Sequence, residues 1–145
     1  MEEKYREYYF ALKKLYELHR KFKFGESPDI PSGFSEQLCR ALLGLEVGLD
    51  RTHDAVTEAK TIYEIKATGS PQGKTTISNA NEFAILAWIY IDFESDTALI
   101  YLLPRALFDL SGKEGRRSIS LKGIAKKAGV QAVTYRFQNL ASAVA

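Results

Sequence analysis

The chain changes its hydrophobic period once, near residue 52, and that switch limits the folds open to it. Before it, apolar residues recur at three- and four-residue steps, the spacing of one helix face. After it they alternate or run together, as in strands. Tyr5, Tyr8, Tyr9, Leu12, Leu15, Tyr16, His19 and Phe22 form a tyrosine-rich stripe. The stripe predicts an amphipathic helix from about Glu3 to Lys21, with Lys4, Lys13, Lys14 and Lys21 largely off it. Such a stripe suits a core contact or an interface with a second copy, and His19 reads as a packed or rim residue. Gly25, Pro28, Pro31 and Gly33 mark a loop. A second helix is predicted from Phe34 to Leu45, with Ser32 as its N-cap and Phe34, Leu38, Ala41, Leu42 and Leu45 as its apolar face. Glu36 then lies in the first turn, where a carboxylate serves the helix dipole or pairs with Arg40.

Beyond the switch, His53–Thr57 and Thr61–Ala67 read as strands joined by the turn Glu58-Ala59-Lys60. The polar stretch 68–82 reads as a loop with a short strand at Thr75–Ser78. The β-branched and aromatic run Phe83–Phe93 predicts a buried strand, followed through Glu94-Ser95-Asp96 by another at Thr97–Leu103. Pro104 is placed to open a short helix, Arg105–Leu110, before a basic loop at 111–117. The end reads as strand (Ser118–Leu121), helix (Lys122–Gly129) and strand (Ala132–Phe137). With no repeat, low-complexity tract or boundary, the expectation is a single α/β domain over 1–145, a length that buries roughly 70% of its unfolded surface.

A lone cysteine, Cys39, makes neither an internal disulfide nor a zinc site by itself. No apolar run approaches the ~18 residues of a membrane span, and no signal-peptide pattern opens the chain. A soluble protein of a reducing, cytoplasmic compartment, with no membrane partner, is expected. Charge is unevenly spread: residues 1–24 hold seven Lys/Arg against four Asp/Glu, residues 25–100 five against twelve, and residues 101–145 eight against two. Basic ends suit a polyanion such as nucleic acid. An acidic middle repels one unless its carboxylates hold cations; scattered surface charge is the simpler alternative.

The hairpin gives the acidic middle a specific form. A three-residue turn at 58–60 pairs residues whose numbers sum to 118, so Asp54 falls opposite Glu64. Glu64 and Lys66, two apart, share a face with it. Opposed like charges on a sheet cost several tenths of a kcal/mol. A divalent cation between them reverses the sign, and few oxygen ligands with water and phosphate completing the shell are what Mg²⁺ prefers. Lys66 is suited to stabilising phosphorane charge or orienting the attacking water. A salt-bridged hairpin accounts for the same residues without metal, and a two-residue turn would place Asp54 opposite Tyr63 instead.

Asp54 followed by Glu64-Ile65-Lys66 resembles the PD-(D/E)XK nuclease signature. The wider context, Pro31-Ser32-Gly33-Phe34-Ser35-Glu36 opening a helix, the strand Glu64-Ile65-Lys66-Ala67-Thr68, and Lys74-Thr75-Thr76-Ile77-Ser78 after it, resembles small type II restriction endonucleases over about residues 31–137. The resemblance implies a restriction-endonuclease-like core, an α-β-β-β-α-β mixed sheet flanked by helices, here with an extra N-terminal amphipathic helix. It implies Mg²⁺-dependent hydrolysis of phosphodiester bonds in double-stranded DNA, with Mn²⁺ as a substitute ion. Asp54, Glu64, Lys66 and Glu36 would be catalytic, and Asp54, Glu64, Ile65 and Glu36 would hold metal. The family's Pro-Asp is His53-Asp54 here, which gives His53 a supporting role and leaves Asp50 as a rival first carboxylate. Homing and repair nucleases share the fold. One site per copy cuts one strand, so a homodimer or dimer of dimers is expected.

For DNA contact the expected residues are Lys74, Thr75, Thr76 and Asn79 after the catalytic strand, and Arg116, Arg117, Lys122, Lys126 and Lys127 near the end. The stretch Leu121–Val130 resembles the opening of a LacI-type helix-turn-helix, which would make the chain a DNA-binding regulator. The alternation of Val133, Tyr135 and Phe137 argues instead for a strand where the recognition helix would be.

Overall fold

The computed structural model describes residues 1–48, 54–78, 82–108 and 116–138. The tyrosine stripe folds as α1 (Glu3–Phe22), which ends where Lys23 turns left-handed and its N–H returns to the His19 carbonyl. In α2 (Ser32–Leu43), Pro31 takes the cap position and Ser32 is the first helical residue, so Ser32 is not the N-cap expected from the sequence. The helix stops before Leu45 because Gly44 adopts φ 68°, with the N–H groups of Gly44 and Leu45 both returning to the Arg40 carbonyl. This earlier start moves Glu36 from the first turn into the second.

The described residues form eight strands, seven of them beyond the period switch. They are β1 (Glu46–Val47), β2 (Ala55–Val56), β3 (Ile62–Thr68), β4 (Lys74–Ser78), β5 (Ile85–Asp92), β6 (Thr97–Pro104), β7 (Arg116–Ser120) and β8 (Val133–Arg136). Pro104 caps a single 3₁₀ turn, Arg105–Leu107, and α3 (Leu121–Ala128) links β7 to β8. Six strands make a mixed sheet in the order β1-β2-β3-β5-β6-β8, parallel only between β3 and β5. The other two, β4 and β7, pair antiparallel as a separate ribbon.

The sheet is covered on both faces. Against one, α1 and α2 bury Tyr9, Leu12, Leu38 and Cys39 on Tyr63, Ile65, Ala87, Ile89, Ile91 and Phe137. Against the other, the ribbon and α3 bury Ile77, Leu121 and Ala125 on Leu86, Trp88 and Leu103. The apolar run at 83–93 is thus explained: β5 is central, parallel to β3 and buried on both faces. Two features depart from the expected core. Among the described residues, the crossover from β3 to β5 carries β4 rather than a helix; Thr75, Thr76 and Ile77 favour strand there. The strands either side of α3 also lie in different sheets, β7 with β4 and β8 with β6. Among the described residues, no helix is long and apolar enough to cross a membrane.

Candidate active site

The hairpin register follows the turn length. Ala55 pairs with Tyr63 and Val56 with Ile62, both summing to 118. Lys60 takes φ 67° to close the turn, and the Thr57 N–H donates to the Thr61 carbonyl at 3.0 Å. The Thr57 hydroxyl accepts the Thr61 N–H at 3.0 Å. Tyr63 and Ile65 point into the helix-covered core, so Glu64 and Lys66 face the other way, beside their β5 neighbours Leu86 and Trp88. Thr68, next on that face, accepts the Trp88 indole N–H at 2.9 Å. Glu64 is buried, and its Oε1 lies 3.4 Å from Lys66 Nζ.

Asp54 sits just before β2, at the register position opposite Glu64. Its side chain does more than face across: Oδ2 accepts the Ile65 N–H at 2.7 Å, taking the place of a main-chain acceptor. Its own carbonyl accepts from Arg40 Nη1 at 2.9 Å. Asp54 is therefore held from β3 through its carboxylate and from α2 through its backbone. The Arg40 contact was not expected from the sequence, which offered Arg40 only as a partner for Glu36. Its one signal is the four-residue spacing that places both on the same side of α2.

Glu36 completes the cluster. Burial, and then the Asp54 carboxylate facing it within hydrogen-bonding reach, push its carboxyl up to about 6, against the opposing pull of Arg40 and Lys66. Glu36 and Asp54 thus meet, and the Ile65 N–H ties Asp54 to β3, the strand on which Glu64 pairs with Lys66. The donor set is hard oxygen, which fits Mg²⁺. The set is also sparse: among the described residues, no group of three or more His, Cys, Asp and Glu side chains is arranged to hold an ion by itself. An ion held here would have to keep water and draw on substrate oxygens to complete its shell, as Mg²⁺ commonly does. Cys39 contributes no nucleophile, since burial pushes its thiol up to about 12.

The residues expected to touch DNA are dispersed. Lys74 and Thr76 are exposed on β4 and Thr75 is half-buried. Lys74 borders a cleft of about 690 Å³ with Thr68, Gly69, Ser70 and Pro71, immediately beyond the Lys66 end of β3. Lys122 and Lys126 are exposed on α3 and line a different cavity, about 430 Å³, with Trp88, Tyr101 and Thr134; none of the four candidate catalytic residues borders either cavity. Lys127 is exposed on the same helix. Arg116 and Arg117 belong to β7, where they pair with Ser78 and Ile77, and their side chains lie outside the described parts. Asn79, Asp50 and His53 lie outside the described residues. Val133–Arg136 is a strand on the β6 edge, so the second helix of a helix-turn-helix is not formed.

No protein-family model, curated protein or solved structure matches the chain.

Proposed function

We propose that this protein is a Mg²⁺-dependent endonuclease acting on double-stranded DNA, with a restriction-endonuclease-like core and the oligomeric habit of a type II restriction enzyme. The single observation that carries the reading is the treatment of Asp54. Its carboxylate is anchored on the strand bearing Glu64 and Lys66 while a third carboxyl, Glu36, is pressed against it and titrates near 6. Crowded carboxylates weaken a fold unless a cation joins them. The topological support is the antiparallel β1-β2-β3 meander after α2, with β5 parallel to β3, so that the acidic residues lie where one hairpin strand leaves its neighbour.

In this reading Asp54, Glu64 and the Ile65 carbonyl would hold the ion, and Glu36 would serve a second ion or a ligand water. Mg²⁺ at these residues would supply Lewis-acid stabilisation of charge on the scissile phosphate and its leaving oxygen. Lys66 keeps its ammonium beside Glu64 and orients the incoming water toward phosphorus, stabilising charge as the bond forms. Arg40 fixes the backbone of Asp54, so the first carboxylate is positioned before substrate arrives. The open cleft past Lys66, with Lys74 on its rim, is where a DNA backbone would run.

The test is plasmid cleavage. Supercoiled plasmid or phage DNA with Mg²⁺ should be nicked or linearised by the wild type. Lys66→Ala and Glu64→Ala should each lose at least about 100-fold in rate while remaining folded by circular dichroism. Equal cutting by either variant, or none by the wild type on any DNA with Mg²⁺ or Mn²⁺, ends the proposal.

A further inference from the structure

Helix α1 has two apolar faces; the fold buries one and meets the other only where Tyr8 stacks on Phe34. On the inner face Tyr9 stacks on Phe137 with ring centres 3.9 Å apart, and its hydroxyl donates to Asp96 at 2.7 Å. Lys13 Nζ reaches the same carboxylate at 2.7 Å, and Arg6 Nε donates to the Phe137 carbonyl at 2.9 Å. That side is fixed to the sheet. On the outer side Met1, Tyr8, Leu15 and Phe22 recur every seven residues, and they are 45%, 43%, 44% and 54% exposed. Ala11 and Leu18 fill the positions three residues on from Tyr8 and Leu15, giving a seam of alternating three- and four-residue steps. Phe24, 67% exposed, stacks on Phe22 and extends it.

We infer that this seam joins two copies of the chain by antiparallel packing of their α1 helices. Charge selects both the occupant and its direction. The flank of the seam beside Ala11 and Leu18 carries Glu7 in the first half of the helix, Lys14 at its middle and Lys21 in the second half. A parallel pairing sets like charges together along the whole flank; an antiparallel one sets Glu7 of each copy toward Lys21 of the other, twice, and leaves only Lys14 beside its own counterpart near the axis. With the two-fold axis near residue 13, Tyr8 meets Leu18 of the second copy and the small Ala11 meets Leu15, allowing close approach. Phe22 then arrives beside Lys4 of the second copy. There α1 and α2 already form a groove of about 350 Å³ lined by Lys4, Tyr5, Tyr8, Pro31, Phe34 and Gln37. Its wall is the Tyr8–Phe34 stack, centres 4.5 Å apart. The knob and its hole lie at opposite ends of one helix, as a self-complementary two-fold contact requires. The exposed aromatic and leucine side chains offer about 400 Å² of apolar surface per copy, taking ~200 Å² for a whole aromatic. At the usual apolar share this corresponds to roughly 700 Å² per copy, close to a standard interface.

The contact is independent of the nuclease reading and is tested without DNA. Sedimentation equilibrium of the full chain should give twice the 16.3 kDa monomer mass. Leu15→Glu and, separately, Phe22→Ser should weaken dimerisation at least about 30-fold. Both side chains are substantially solvent-exposed, so the monomers should keep wild-type circular dichroism. Glu7→Lys should weaken it about 5-fold, and Glu7→Lys with Lys21→Glu should restore it. A wild type that is monomeric at about 100 µM, a concentration that populates interfaces of this size, overturns the inference and leaves the face to another partner. A dimer indifferent to both apolar substitutions overturns it as well. Dimerisation lost on Glu7→Lys but not restored by the double exchange overturns the antiparallel arrangement.

Discussion

Replacing Glu36 with Gln separates a strained carboxylate site from an ordinary salt-bridged hairpin. The Glu36 carboxyl titrates near 6 in the folded protein against 4.5 for a free one, because burial and the Asp54 carboxylate both disfavour its charge. A raised carboxyl pKa means that the folded state holds its proton longer than the unfolded state. Stability is therefore lost as pH rises from about 4.5 to about 6, and the loss persists above that. The full shift corresponds to about 2 kcal/mol. Glu36 is only half-buried, and solvent screening brings this to about 1 kcal/mol. Glu36→Gln cannot ionise and keeps a hydrogen-bonding end for Asp54. In urea titrations it should match the wild type near pH 4.5 and exceed it by about 1 kcal/mol at pH 7.5. Adding Mg²⁺ at pH 7.5 should stabilise the wild type more than the variant, because the cation offsets a repulsion that only the wild type has. A variant that is less stable than wild type at pH 7.5, or a difference that does not change between the two pH values, refutes the crowded-carboxylate account. A salt-bridged Glu36 would give both of those results.

Asp96→Ala should cost about 3 kcal/mol in urea unfolding: it leaves the buried Tyr9 hydroxyl without its acceptor and puts alanine at φ 56°. Asp96→Asn, which tolerates that φ and keeps an acceptor oxygen, should cost clearly less. Burial pushes the Asp96 carboxyl up, but hydrogen bonds from Lys13, Tyr9 and Gln138 outweigh it and hold the group below its ordinary 3.8. Its contribution is thus present above that pH and lost below it, so the Asp96→Asn deficit should shrink in acid titrations. Gly73→Ala should destabilise by about 2–4 kcal/mol by the same assay, since φ is +62° and the added Cβ would sit 2.5 Å from the Trp88 ring. Chelating divalent ions with EDTA should abolish plasmid cleavage, and readdition of Mg²⁺ should restore it.

Much of the element order was legible because it rests on local signals. The stripe of α1, the central apolar run of β5 and the alternation of β8 each fix an element by periodicity alone. The boundaries that moved did so for backbone reasons. Pro31 displaced Ser32 from the cap of α2, and Gly44 ended it early by turning left-handed. The partnership of β4 with β7 was not legible. It joins segments some forty residues apart, and nothing in the polar run 68–82 names its partner. Asp96 read only as a turn residue; that it gathers Tyr9, Lys13 and Gln138 depends on α1 crossing the β5–β6 turn, a tertiary fact.

The site divides along the same line. The hairpin register follows from counting turn residues: a three-residue turn pairs Ala55 with Tyr63 and Val56 with Ile62, which leaves Asp54 at the position across from Glu64 just outside the ladder. What counting cannot supply is the plane of the Asp54 carboxylate. It turns into the hydrogen-bonding direction to take the Ile65 N–H, which becomes available only because β2 ends at Ala55 and the ladder opens. That rotation brings Asp54 against Glu36 of α2 instead of leaving it on the sheet face with Glu64 alone. The expected cross-strand pair thus becomes a three-element junction, with α2 supplying both the crowding carboxyl and, through Arg40, the restraint that keeps Asp54 from relaxing away. If that restraint matters, Arg40→Met should relieve the crowding: Glu36 should titrate lower once Asp54 is free to move, even though a nearby positive charge has been removed. A Glu36 carboxyl that titrates higher in Arg40→Met, followed by NMR of the side-chain carboxyl, would show that Arg40 acts through its charge and not through the backbone it holds.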